Sequence, residues 1–275
     1  MTTSQLPGRF LNKLKRKDLI VFDLDGTLAP TKTPMDKKMS ELITKLLQIK
    51  KVAVIGGGKY ELFKMQLLQP LTAATHLLKN LFLFPTTSTS FYRYRGGWKK
   101  VYEHRLSKAE RALIKKTFRR VFAEIGYQHP QKTYGKIIED RGTQVTFSAL
   151  GQEVVKVLGK RKGVALKEKW KRENTPVKLT IAKRMSKYLP KLEVRAAGHT
   201  SVDVTKKGID KAYGLKQIEK YVRVPIRKML FVGDAIFPGG NDYAVTKTSI
   251  DYLKVAGPED TKKIISALLK ISTAE

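Results

Sequence analysis

The chain has 275 residues, 41% of them hydrophobic, which is enough for one large domain or two moderate ones with true cores. It has no cysteine, so disulfides, thiolate metal sites and cysteine nucleophiles are excluded; this suits a cytoplasmic protein, and no apolar run is long enough for a membrane helix. Lys and Arg number 55 against 24 Asp and Glu, and the net charge of +31 attracts anions of any kind.

The first third of the chain alternates between strand and helix patterns. Residues 1–17 carry scattered basic side chains without an apolar run, so we expect no signal peptide. Short apolar runs predict strands buried on both faces, and helical spacing of apolar residues predicts the helices between them. The strands are expected at 19–22, 52–55 and 81–84, and the helices at 36–50 and from about residue 60. This order favours a parallel sheet with right-handed crossovers.

The middle of the chain has a different pattern. Arg95-Gly96-Gly97 indicates a hairpin, and Ser107 with Glu110 forms a capping box before a helix whose inner face we expect to include Leu113. Further strands are expected at 137–140, 144–147, 192–196 and 201–204, with a helix at 176–188. Hairpins with two helices favour an α+β domain with an antiparallel sheet.

From Gly208 the first pattern returns, with a helix at 210–221, strands at 229–232 and 252–255, and a last helix that begins at Pro258. The predicted fold is therefore α/β: a Rossmann-like parallel core, residues 1–90 and 203–275, interrupted by an α+β cap, residues 91–202. The insert holds 28 basic and 9 acidic residues, so most of the positive charge is concentrated there.

Two carboxylates follow the first buried strand, in the run Asp23-Leu24-Asp25-Gly26-Thr27-Leu28. Ligands of open parallel sheets bind beyond the carboxyl ends of the strands, and a spacing of two keeps both side chains on one side of an extended chain. One carboxylate can attack phosphorus and the other can move a proton, as transfer through an aspartyl-phosphate requires. Thr27 can hydrogen-bond a phosphate oxygen.

A second acidic group follows another buried strand, at Asp234 and at Asn241-Asp242. Mg²⁺ prefers oxygen ligands, so we expect it at Asp23, the Asp25 main-chain carbonyl and Asp234, with Asn241 and Asp242 as ligands or as groups that orient them. Lys211 would supply a fixed cation for the transferring phosphoryl group. Backbone N–H groups at Gly57 and Gly58, in the turn of residues 56–58, can face phosphate.

Residues 23–28, 56–58, 208–211 and 233–242 resemble, in order, the four motifs of the haloacid dehalogenase superfamily. A cap of about a hundred residues between the second and third motifs is similar to the type IIB branch. Within that branch the likeness is to eukaryotic-type phosphomannomutases and covers nearly the whole chain. The Pro-Gly-Gly of residues 238–240 is the most specific part of the match.

The resemblance implies an aspartyl-phosphate at Asp23, acid/base work by Asp25, Mg²⁺ as cofactor, and a cap that closes over a sugar phosphate. It also implies roles in substrate binding for matched residues, namely Lys32, Arg141, Ser201 and Asp203. Two positions depart from the family pattern: Gln152 stands where the mutases carry a second phosphate-binding Arg, and Gly58 replaces the usual Ser or Thr.

We therefore expect a Mg²⁺-dependent sugar-phosphate phosphohydrolase, because a mutase without its second Arg grips the distal phosphate less firmly. The alternative is a phosphomannomutase that interconverts mannose 1- and 6-phosphate. A basic nucleic-acid-binding protein without catalysis is a third hypothesis. The expected partner is a phosphorylated sugar; no membrane contact is expected, and nucleic acid only through non-specific charge. The oligomeric state is left open, and a homodimer through the cap is compatible with the sequence.

Overall fold

The computed structural model describes residues 14–272, so the expectation of no signal peptide lies almost entirely outside the described residues. The chain forms two compact units. Among the described residues, the first comprises 14–102, Asp210–Phe237 and 242–272, and the second comprises Glu103–Ile209 and Pro238–Asn241. Both divisions fall later in the chain than the boundaries expected after residues 90 and 202.

Strands and longer helices alternate along the described residues. The strands are β1 (Leu19–Asp23), β2 (Lys51–Ile55), β3 (Leu81–Phe84), β4 (Ser90–Tyr94), β5 (Trp98–Glu103), β6 (Ile138–Asp140), β7 (Val145–Ser148), β8 (Leu192–Ala197), β9 (Ser201–Lys206), β10 (Met229–Gly233) and β11 (Asp251–Lys254). The longer helices are α1 (Lys37–Ile49), α2 (Lys108–Glu124), α3 (Val154–Tyr188), α4 (Lys211–Val222) and α5 (Pro258–Ser272). Shorter helical segments lie at Tyr60–Phe63, Lys64–Leu68, Thr75–Asn80, Pro85–Ser88, Ile226–Lys228 and Tyr243–Lys247.

The first unit is built on a seven-stranded sheet with the order β11-β10-β1-β2-β3-β4-β5. From β11 to β3 neighbouring strands pair in parallel. Helices α1 and α5 pack in one core with Ile20 and Phe22, and α4 packs in another with Leu19 and Val21. Alternate residues of β1 point to opposite faces, so the sheet is covered on both sides, as its continuous apolar strands require. The predicted parallel α/β core is confirmed.

The hairpin of β4 and β5 corrects the sequence analysis, which placed it in the inserted domain. β4 pairs antiparallel with β3, with Phe82 opposite Arg93. Phe91 is fully buried, and its ring stacks on Phe84 with 4.5 Å between the ring centroids. A strand pattern does not identify the sheet that the strand joins, because that choice depends on the side chains it packs against.

The second unit contains a four-stranded sheet with the order β6-β7-β9-β8, in which all described pairs are antiparallel. Phe118 of α2 and Ile181 of α3 share one core with Phe147 and Val202 of the sheet. The predicted capping box is present, with the Ser107 side chain accepting from the Glu110 N–H and the Glu110 side chain accepting from the Ser107 N–H. The predicted α+β architecture with an antiparallel sheet is confirmed.

Two details of these helices differ from the sequence analysis. Leu113 is 51% exposed, because the neighbouring Ile114 occupies the inner face of α2. Helix α3 begins at Val154, well before residue 176, and has a break at Gly159, where φ is +75°. Its first half is rich in Lys and Arg and is broken at Gly159, and no helix was predicted there. Among residues 14–272, no helix combines the length and the apolar character that crossing a membrane requires.

Candidate active site

The carboxylates predicted at two strand ends meet at one edge of the first unit's sheet. β1 and β10 are parallel neighbours with Phe22 opposite Val232, so the chain leaves the sheet at Asp23 and at Asp234 side by side. Asp242 joins them from the loop after β10. Carboxylate oxygens of the three side chains all lie within 4.8 Å of one another.

Two glycines leave room for this carboxylate cluster. Gly26 has a φ of +89°, and a Cβ at that position would lie 2.7 Å from Asp234 Oδ2. A Cβ at Gly233 would overlap the carboxylate of Asp242. A larger residue at either position would therefore displace an acidic side chain, which explains the Asp-Gly and Gly-Asp pairs at the two strand ends.

Lys211 is the cation of the cluster. Its side chain is fully buried, and Nζ donates hydrogen bonds to Asp23 Oδ1 and Asp242 Oδ1. Lys211 is the first residue of α4, and the side chain of Asp210 caps that helix by accepting from the N–H of Tyr213 at 2.7 Å. The structure thus brings the predicted cation to the predicted nucleophile, and Asp242 orients that cation from the other side.

Burial and charge act together on this pair. Burial raises the pKa of Asp23, Lys211 opposes the rise, and Asp242 and Asp234 add to it. Burial alone would lower the pKa of Lys211, but Asp23 and Asp242 outweigh burial and raise it. Lys211 is therefore an ammonium at neutral pH, and Asp23 lies in a region with an excess of negative charge.

The donor set fits a hard divalent cation. Asp23, Asp234 and Asp242 supply carboxylate oxygens, and the Lys211 ammonium is paired with two of these three groups. A doubly charged cation would balance the remaining negative charge, and Mg²⁺ binds oxygen ligands of this kind. Because Asp242 is already bonded to Lys211 and to the Ala235 N–H at 3.0 Å, it suits an orienting role better than direct ligation.

The second carboxylate of the first motif has its own environment. Asp25 Oδ1 accepts a hydrogen bond from the main-chain N–H of Lys32 at 2.6 Å and another from Gln66 Nε2 at 2.8 Å. Lys32 was expected to contact the substrate, whereas this contact uses its main chain and is directed at Asp25. Lys32 has a φ of +52°, uncommon for a residue with a side chain.

Gln66 was not among the site residues expected from the sequence. It lies in the π-helical turn Lys64–Leu68 and is fully buried. A glutamine between Phe63 and Leu67, both buried, is the one signal that the sequence offered, because a buried amide needs partners. A π-helical turn is itself frequent at functional sites.

The residues predicted to receive phosphate lie near the ends of β1 and β2. Thr27 is fully buried, and among the described residues its Oγ1 has no hydrogen-bond partner. Gly58 follows Gly57 in the turn after β2, and its carbonyl accepts from the Thr86 N–H at 2.8 Å. A Cβ at Gly58 would lie 2.5 Å from Leu62 Cδ2, so a Ser or Thr there requires Leu62 to move.

In the second unit Arg141 and Gln152 are in direct contact. Arg141 Nη2 donates to Gln152 Oε1 at 3.2 Å, and its Nε donates to Glu139 at 2.8 Å. Ser201 and Asp203 both lie on β9, where Asp203 accepts from Thr146 Oγ1 at 2.8 Å. The structure thus pairs the retained Arg with the residue that replaces the second one.

The match to a known family spans most of the chain. The model of the eukaryotic phosphomannomutase family matches residues 39–271. The chain belongs to this family. The resemblance to the haloacid dehalogenase superfamily is therefore confirmed.

Relatives in this family are similar over nearly their whole length. The phosphomannomutase of Encephalitozoon cuniculi is 26% identical over 266 residues, which cover 93% of this chain and 95% of that protein. The probable phosphomannomutase of Caenorhabditis elegans is 25% identical, covering 92% and 96%. Human phosphomannomutase 1 is 24% identical and covers 90% of both chains.

Solved structures show the same fold at lower identity. The IMP-bound IMP-nucleotidase of Plasmodium falciparum aligns with a TM-score of 0.70 and 17% identity, covering 94% of this chain and 71% of that one. The trehalose-6-phosphate phosphatase of Aspergillus fumigatus aligns with a TM-score of 0.53 and 15% identity, covering 94% and 96%. These likenesses establish the fold of this family member.

Not every predicted site residue joins the cluster of the first unit. Arg141, Gln152, Ser201 and Asp203 belong to the second unit, as does Asn241 in the segment Pro238–Asn241. Their contacts with substrate or metal stay predictions.

Proposed function

We propose that the chain is a phosphoryl-transfer enzyme that interconverts mannose 1-phosphate and mannose 6-phosphate through a phosphorylated Asp23. The observation that carries the proposal is the buried contact of Lys211 with Asp23 inside a cluster of carboxylates. The names of the relatives support the mutase, which the sequence analysis ranked second to hydrolysis. The nucleic-acid-binding alternative rests on net charge alone, whereas this cluster supports catalysis.

The first half of the reaction forms the intermediate. The Asp23 carboxylate attacks phosphorus, the bond between phosphorus and the sugar oxygen breaks, and Asp25 gives a proton to the leaving oxygen. Lys211 holds Asp23 in place and offsets negative charge on the transferring group. Thr27 Oγ1 is available to donate to a phosphate oxygen.

The second half returns the phosphoryl group to a hydroxyl. Asp25 takes the proton from the incoming hydroxyl, whose oxygen attacks the phosphorus of the aspartyl-phosphate, and the Asp23 carboxylate is regenerated. Asp23, Asp234 and the Asp25 main-chain carbonyl would hold Mg²⁺, with Asp242 orienting Lys211. When bound, the ion neutralises charge on the phosphoryl oxygens.

Hydrolysis is the second candidate, and the pairing of Arg141 with Gln152 favours it. One charge-assisted bidentate contact contributes ~1.5–3 kcal/mol, which is enough to change the retention of an intermediate by roughly ten- to a hundredfold. If water reaches the aspartyl-phosphate before the sugar hydroxyl does, free phosphate is released. We expect a cytoplasmic enzyme in either case, as predicted from the sequence.

The test is a product assay that separates the two outcomes. The enzyme is incubated with Mg²⁺ and mannose 1-phosphate, with and without a hexose bisphosphate activator, and ³¹P NMR follows mannose 6-phosphate and free phosphate. We expect mannose 6-phosphate to form faster than free phosphate. Predominant phosphate release would instead establish a hydrolase, and no turnover of any sugar phosphate by folded enzyme would refute phosphoryl transfer. Gln152→Arg should move the product ratio toward mannose 6-phosphate.

A further inference from the structure

The buried amide of Gln66 has an arrangement that the proposed reaction does not by itself explain. Nε2 donates to Asp25 Oδ1 at 2.8 Å and to the main-chain oxygen of Thr33 at 3.1 Å. Both partners are acceptors, so the amide must present its NH₂ group to them, and the reversed orientation would place Oε1 against two oxygens. Among the described residues, Oε1 has no hydrogen-bond partner although it is buried.

Gln66 also fixes the turn that supplies the other donor to Asp25. Its main-chain oxygen accepts from the Met35 N–H at 2.9 Å, while its side chain holds the oxygen of Thr33. Between Asp25 and Thr33 lies Lys32, whose N–H reaches Asp25 Oδ1 at 2.6 Å. Gln66 therefore holds the turn that contains Lys32 by two hydrogen bonds, one to Thr33 and one from Met35. It also supplies one of the two donors to Asp25.

Both donors converge on the same carboxylate oxygen. With Oδ1 accepting from Lys32 and Gln66, the carboxylate plane of Asp25 is fixed, and Oδ2 is the oxygen left for proton exchange. A proton transfer depends on the orientation of the acid as well as on its presence.

We propose that Gln66 is a positioning residue that turns Asp25 so that Oδ2 donates the proton to the leaving oxygen and later takes it from the incoming hydroxyl. This inference rests on the proposed function, since it needs Asp25 as the proton carrier. Each transfer is balanced within the reaction: the proton that Oδ2 gives up in the first half returns to it in the second.

The experiment compares Gln66→Met with Gln69→Met, the same change at an exposed glutamine three residues away, directly after the same helical segment. With mannose 1-phosphate we expect Gln66→Met to lower kcat by roughly 10- to 100-fold, because misorienting the acid loses part of the rate enhancement that acid–base catalysis supplies. KM and the affinity for Mg²⁺ should change by less than about twofold. Gln69→Met should match the parent enzyme.

Two further measurements separate positioning from a general structural effect. In an Asp25→Ala background, Gln66→Met should cause no additional loss, because the residue acts only through Asp25. With p-nitrophenyl phosphate, whose leaving group needs no proton, phosphorylation of the enzyme should be much less sensitive to Gln66→Met. Should that variant fail to fold, Gln66→Asn, whose amide is one methylene too short to reach Asp25, carries the same expectations.

Each outcome has a definite meaning. An unchanged kcat in Gln66→Met would overturn the inference, and so would a full additional loss in the Asp25→Ala background. Full activity of Asp25→Ala itself would instead refute the proton-transfer role of Asp25, which belongs to the proposed function, and would be seen before Gln66 is changed.

Discussion

Gly214 offers a sharp test of how the fold positions Lys211. The two residues lie one turn apart on the same face of α4. A Cβ at 214 would overlap Ser88 Oγ and lie 2.9 Å from Ile55 Cδ1. Since carbon atoms prefer separations of ~3.5–4.0 Å, Gly214→Ala requires a shift of roughly 1 Å between α4 and its neighbours.

Ser88 is poorly placed to make that shift. It lies in the buried turn Pro85–Ser88, where Thr86, Thr87 and Ser88 all have positive φ values between 49° and 69°. The N–H groups of Thr86 and Thr87 are bonded to the carbonyls of Gly58 and Gly56, and the carbonyl of Ser88 accepts from the hydroxyl of Tyr102. We therefore expect the helix to move, and Lys211 with it.

The change in the free energy of unfolding of Gly214→Ala follows from two opposing effects. Alanine is a better helix former than glycine by ~1 kcal/mol, whereas overpacking a buried contact costs ~1–3 kcal/mol, so the free energy of unfolding should fall by no more than about 2 kcal/mol. A displacement of about 1 Å in a catalytic group can lower the rate ~100-fold. Activity should thus fall far more than stability.

The assay is kcat/KM for a sugar phosphate together with a denaturant titration. Gly257→Ala is the matched control, because a Cβ there meets nothing within 4 Å. Adding Ser88→Gly and Ile55→Val to Gly214→Ala removes the atoms that the new methyl group meets and should restore most of the activity. Full activity of Gly214→Ala, or no recovery in the combined variant, would refute the reasoning.

Three further outcomes are expected. Chelation should abolish turnover and Mg²⁺ should restore it, and Asp234→Ala should raise the Mg²⁺ concentration for half-maximal rate by at least ~10-fold; activity in excess chelator would contradict this. Burial, with a contribution from Lys171, lowers the pKa of Lys178 from 10.5 to about 8. Between these pH values the unfolded chain binds a proton that the folded chain lacks, so the free energy of unfolding rises with pH. Below pH 8 the buried ammonium lowers the free energy of unfolding by the full amount, about 3 kcal/mol. Lys178→Met removes this burial cost but also loses a hydrogen bond to the Gly198 carbonyl that contributes ~1 kcal/mol. The variant should therefore be more stable by about 2 kcal/mol at pH 7 and no more stable above pH 10.5. Urea unfolding measures this difference, with Lys183→Met at an exposed position as the control. Arg141→Ala should raise KM for the sugar phosphate, and an unchanged KM would remove Arg141 from the substrate site.

The acidic cluster was predictable because the carboxyl ends of parallel strands lie at the same edge of a sheet, although β1 and β10 are far apart in the chain. That rule places Asp23 and Asp234 at one edge, and the pairing of β1 with β10 brings them side by side. Gln66 was not predictable in this way, since its partners are an Asp and a main-chain carbonyl in a loop more than thirty residues earlier. Lys32 was predicted to bind substrate through its side chain. Its contact with Asp25 depends instead on a main-chain conformation with positive φ, which a pattern of side chains does not reveal.

The fold shows the same division between local and long-range information. The capping box at Ser107 and the buried run of β1 are local signals, and both are present in the structure. The sheet that β4 joins and the face that Leu113 occupies depend on packing partners distant in sequence. The expectations for the β4–β5 hairpin and for Leu113 were therefore wrong.

Phosphoryl transfer through Asp23 is tested most directly by trapping the intermediate. The enzyme is mixed with Mg²⁺ and mannose 1-phosphate, quenched in acid and analysed by peptide mass spectrometry. We expect one phosphoryl group on Asp23, absent from Asp23→Asn, whose turnover should be at least ~10³-fold slower because a carboxamide cannot form the acyl phosphate. A phosphoryl group on Asp25, or undiminished turnover by Asp23→Asn, would contradict the assignment.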